Sequence, residues 1–112
     1  MTNGEETLVR RLSERLVRCA EGLQHAVGLL GRKRADREIL QRCAELRHLT
    51  REAGDVYREA VASLYGADSR AAQAAQVLEL LKWHELLTKL DEAVGGCGRV
   101  ALELETIVEA HA

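Results

Sequence analysis

The stretch Val77–Val108, VLELLKWHELLTKLDEAVGGCGRVALELETIV, decides the fold. Leu80, Leu87, Val94, Ala101 and Val108 recur every seven residues, and Trp83, Leu90, Cys97 and Leu104 repeat beside them at the same spacing. A period near 3.5 is that of a helix packed along its length against others. Leu86, Ala93, Val100 and Ile107 add a third series on the shoulder of the arc. An apolar arc that wide exceeds what one partner helix covers, so the segment reads as the shared helix of a bundle.

Working back toward the N-terminus, two shorter stripes appear. Val9, Leu12, Leu16, Cys19, Leu23, Ala26 and Leu30 alternate steps of three and four, which predicts a helix over 5–30. Thr2 with Glu5, or Asn3 with Glu6, has capping-box spacing at its start. Gly28 and Gly31 weaken its end. Asp36 is the expected N-cap of a second helix over 36–65, although the turn before it could cap from elsewhere. That helix carries Ile39, Cys43, Leu46, Thr50, Ala53, Tyr57, Ala60 and Leu64 on one face, and Tyr65-Gly66 closes it with a left-handed glycine. Thr50, the polar exception, is expected to bond a carbonyl one turn back. After the turn Ala67-Asp68-Ser69 the third helix is predicted over 70–110, continuous through Gly95-Gly96 and Gly98 because the heptads stay in phase across them. Close helix packing is the expected reason for those glycines. The outcome is an all-α fold, one domain over 1–112, with three antiparallel up-down helices and short turns.

Composition agrees. The chain of 112 residues has no Pro and no Phe, and it is rich in good helix formers. A net charge of −2 gives no electrostatic case for nucleic acid or an acidic membrane. No apolar run approaches the roughly 20 residues of a membrane span, and no signal-peptide pattern opens the chain. A cytosolic location is expected. Cys19, Cys43 and Cys97 stand singly on apolar faces, where a reduced cysteine serves as a small hydrophobe.

Catalytic groupings are poor: there is no HExxH, no phosphate loop after a strand, and no serine at useful spacing from a histidine. An enzyme is not expected. His84 and Asp91 are too far apart along one helix to share a metal, and His84 reads as a boundary histidine. His48, Glu52, Asp55 and Glu59 step by four, three and four along one face of the second helix. Such a line could hold a divalent or ferric ion with help from another helix, but Arg47, Arg51 and Arg58 stand alongside to compete for it.

Two stretches carry a family resemblance. LRHLTREAGDVYREAVASLYG (46–66), followed by the helix containing Leu81-Lys82-Trp83-His84-Glu85, Asp91-Glu92-Ala93, Cys97, Val100 and Ala101, resembles the second half of PhoU-like phosphate-transport accessory proteins. The branch it looks closest to is often encoded beside low-affinity phosphate transporters. The likeness covers about residues 46–110. It implies a PhoU-like three-helix half, no enzymatic activity, and a part in phosphate uptake or its signalling through contact with a transporter or signalling protein. The family's metal motif, E-x-x-x-D on each of two helices, is eroded here. Arg51 stands at the first glutamate position before Asp55; Asp91 stands at the second, and Gly95 replaces its aspartate. Metal binding is carried over only through Asp55, Glu52 and Asp91. Family members usually contain two three-helix units and this chain has one, which leads to an expected homodimer built on Leu86, Ala93, Val100 and Ile107. The same strip could instead be covered by another helix of the same chain. The alternative function is a self-associating scaffold with no phosphate role and no metal site.

Overall fold

A computed structural model describes residues 3–66 and 74–111, which form three helices and, among those residues, no strand. They are α1 (Asn3–Gly28), α2 (Asp36–Gly66) and α3 (Ala74–Ala110). Each packs on the other two, in a rod of 60 × 21 × 16 Å. Side-chain pairs fix the directions. Arg11 meets Glu59 while Arg15 meets Glu52, so α2 descends as α1 ascends. Tyr65 meets His84 while Arg47 meets Glu105, so α3 turns back again. This is the expected up-down bundle.

The core follows the stripes. Leu12, Cys19 and Ala26 of α1, Cys43, Leu46, Ala53 and Ala60 of α2, and Leu87, Val94, Ala101, Leu104 and Val108 of α3 are all buried. Trp83, Leu90 and Cys97 are partly buried against them. Thr50 behaves as its position requires, its hydroxyl donating to the Arg47 carbonyl at 2.8 Å. Val56, outside the periodic stripe, is buried as well, one turn from both Ala53 and Ala60.

The helix ends depart from the sequence reading. α1 stops at Gly28, and Leu29 and Leu30 close a tighter turn by donating to the carbonyls of Ala26 and Val27. That rotation exchanges the two leucines: Leu29 is 4% exposed and Leu30 is 43% exposed, so the stripe ends on Leu29. Gly31 then takes φ +87°, where a side chain would be strained. At α2 the Ala35 carbonyl accepts the first helical bond, from Ile39 at 2.8 Å, which puts the cap on Ala35 rather than Asp36. Asp36 and Glu38 instead occupy the first turn, where acidic groups suit the helix dipole. Gly66 is still helical and carries no left-handed φ. The proposed cap at Thr2, the 67–69 turn and the start of the third helix at residues 70–73 lie outside the described residues.

α3 is unbroken through Gly95-Gly96 and Gly98. Close helix packing requires none of these glycines, since an added Cβ would make only ordinary contacts. A Cβ at Gly98 would touch Thr50 of α2 at 3.5 Å, whereas at Gly95 and Gly96 it would meet only the guanidinium of Arg99 on the same helix. Gly95 and Gly98 line a groove between α2 and α3.

Leu87 and Val94 are 1% and 2% exposed at the centre of this core. An unpaired carboxylate at either site costs several kcal/mol, against a total stability of about 5–15 kcal/mol. Leu87→Asp and Val94→Asp are expected to unfold the domain, seen as loss of the cooperative thermal transition in circular dichroism. A normal melt for both would place α3 in the wrong rotational phase.

Candidate functional site

The acidic line on α2 is taken up by arginines, two of them from a helix the sequence did not indicate. Glu59 pairs with Arg11 of α1 at 3.0 Å and Glu52 with Arg15 of α1 at 3.3 Å. Asp55 is bound by Arg58, one turn on. His48 reaches Glu52 at 3.5 Å. Of the three competing arginines, only Arg58 acts as expected. Arg47 turns to Glu105 of α3 at 3.0 Å, leaving its buried Nε without an acceptor. Arg51 has no carboxylate partner among the described residues.

Both eroded metal-motif positions do meet across the α2–α3 interface. Arg47, Thr50 and Arg51 of α2, with Asp91, Gly95, Gly98 and Arg99 of α3, line one groove. Asp55 and Glu52 lie in an adjoining hollow that shares Arg51 and includes Arg58. Asp55, Glu52 and Asp91 are not gathered into one ligand set. Among the described residues no three His, Cys, Asp or Glu side chains are placed to hold a metal ion. The groove does not fit the cation that the resemblance implies, because its walls carry more guanidinium than carboxylate.

Asp91 is the carboxylate in that groove. Burial pushes its carboxyl above the usual range; Arg58 draws it down and Glu92 pushes it up, both more weakly than burial acts. The three thiols are also raised, chiefly by burial, with Cys19 pushed up to about 11. They are protonated at neutral pH and unreactive, as core cysteines should be.

Two contacts near the other end of the interface had no signal in the sequence. The Tyr65 hydroxyl and His84 Nδ1 lie 2.7 Å apart, with the rings edge to face. The hydroxyls of Tyr57 and Thr88 lie 3.0 Å apart. Each joins one residue of α2 to one of α3, so pattern within a single helix could not find them.

The shoulder strip of α3 is open. Leu86 and Val100 are each 43% exposed and Ile107 is 51% exposed, with Ala93 exposed between them. Neither α1 nor α2 covers it. No described helix is long and apolar enough to cross a membrane.

The Asp91 shift has a consequence for stability. With its folded pKa above the ordinary value of 3.8, the folded chain holds this proton more tightly than the unfolded one. Stability falls as pH rises through that window, and the loss persists above it. Asp91→Asn is expected to melt at a higher temperature than the parent at pH 7, the difference closing below about pH 3, where both states are protonated. An equal offset at both pH values would detach the effect from ionisation.

No family model, no curated protein and no solved structure matches the chain, so a functional reading stands on its residues and on the geometry of the groove and the strip.

Proposed function

We propose that the protein is a non-enzymatic, PhoU-like accessory or regulatory protein linked to phosphate uptake or its signalling, and that it acts by protein–protein contact as a homodimer. The exposed strip of α3 carries the contact part of this reading. Three large aliphatic side chains lie in line on one helix with a small residue between them. Removing such surface from water is favourable by roughly 25 cal/mol per Å². A two-fold contact presents the same patch twice, so one strip suffices to build it. The phosphate part rests on the resemblance over residues 46–110, to which the up-down bundle of long helices conforms. A transporter or a signalling protein is the expected further partner.

The same strip favours a second reading, a self-associating scaffold without a phosphate role. Light scattering across a concentration series tests what the two share. A dimer is expected, and Val100→Glu with Ile107→Glu should convert it to a folded monomer. A monomer at every concentration sinks the dimer. Phosphate uptake in cells lacking the protein separates the readings: a changed rate favours the accessory role, and an unchanged rate leaves the scaffold.

A further inference from the structure

We propose that the groove between α2 and α3 binds a small dianionic tetrahedral oxyanion, inorganic phosphate or a phosphate monoester, between the guanidinium groups of Arg51 and Arg99. The idea is independent of the accessory role and fails separately from it. Among the described residues Arg11, Arg15, Arg42, Arg47 and Arg58 have carboxylate partners, and seven other arginines do not. Arg51 and Arg99 are two of these seven, and they reach one groove from different helices. Its volume of about 460 Å³ exceeds what a bare ion needs, which leaves room for a monoester or for water.

The local backbone explains how Arg99 is presented. Gly95 and Gly96 lack side chains, and the Arg99 guanidinium lies 3.5 and 3.6 Å from where their Cβ atoms would stand. Each glycine costs about 1 kcal/mol of helix stability relative to alanine, with no helix contact in return. Arg47 forms the far wall, held in place by Glu105. With Arg47 neutralised by Glu105, Arg51 and Arg99 outweigh Asp91 by one positive charge, a net attraction for an anion. Asp91 opposes the ligand, and the nearby charge of Arg58 offsets part of that opposition. Guanidinium forks bind phosphate oxygens two at a time, which a lysine cannot do.

Asp91 makes the proposal easy to distinguish from a cation site, because its removal should strengthen binding rather than weaken it. Isothermal titration calorimetry with inorganic phosphate and with glycerol phosphate, in chloride at constant ionic strength, reads the affinity. Saturable binding is expected for at least one of the two. Arg51→Gln and Arg99→Gln should each weaken it about tenfold. Arg51→Lys and Arg99→Lys, which keep the charge and the fold, should also weaken it, and Asp91→Asn should tighten it. The absence of saturable binding, an affinity unchanged from the parent in both glutamine variants, or weaker binding in Asp91→Asn would overturn the site. So would retention only on phosphatidylcholine vesicles containing phosphatidate, since the ligand would then be a membrane surface.

Discussion

Burial of one seam of α3, on Leu87, Val94, Ala101, Leu104 and Val108, is the constraint on which the molecule depends. α1 and α2 pack against each other and each packs against α3 as well. The third helix, apolar over a wider arc, completes the enclosure. The core has no phenylalanine and the three cysteines are free, so neither large rings nor a cross-link holds it. Aliphatic contact does, and truncating one buried leucine to alanine costs roughly 2–5 kcal/mol in such a setting. Alanines at 26, 53, 60 and 101 are fully buried, and small residues at those levels let the helices approach.

The helices were legible because burial along a bundle leaves a repeat in the residues themselves. Their ends were less so. Whether Leu29 or Leu30 faces the core depends on a turn that tightens after Gly28, and such a turn follows from the path of the chain toward α2. The cap of α2 moved for a similar reason. Ala35 is buried beneath the turn and its carbonyl starts the helix, while Asp36, the better capping side chain, falls one residue inside. Arg34, just before it, adopts φ 63°, a left-handed conformation no propensity scale would assign to arginine.

The candidate site was legible as a set of positions and not as a set of partners. Arg51, Asp55, Asp91 and Gly95 stood out in sequence, and the fold does bring them to one interface. Which charge meets which is a tertiary matter. Glu52 and Glu59 are taken by arginines far back in the chain on α1, and that frees Arg51 from the role its neighbours suggested for it. The shoulder strip was ambiguous in sequence because an apolar series reads alike whether a helix of the same chain or a second molecule covers it. Closure of the bundle with Leu86, Val100 and Ile107 outside decides the first half of that question.

The junction of Tyr65 with His84 sets how far α3 outruns its neighbour. Tyr65 is the penultimate residue of α2, so the turns of α3 before His84 continue past the end of that helix. Leu80, on the seam, is only partly enclosed, whereas from Leu87 onward the seam is buried. One helix therefore spans two regimes of protection. Among its leading turns Leu80 and Trp83 pack on the core but are only partly buried, and a helical segment with so little enclosure is marginal in water. The later turns can open only when the bundle does. Amide exchange along α3 should accordingly be graded, fast ahead of the tyrosine–histidine junction and close to the global unfolding limit near Val94.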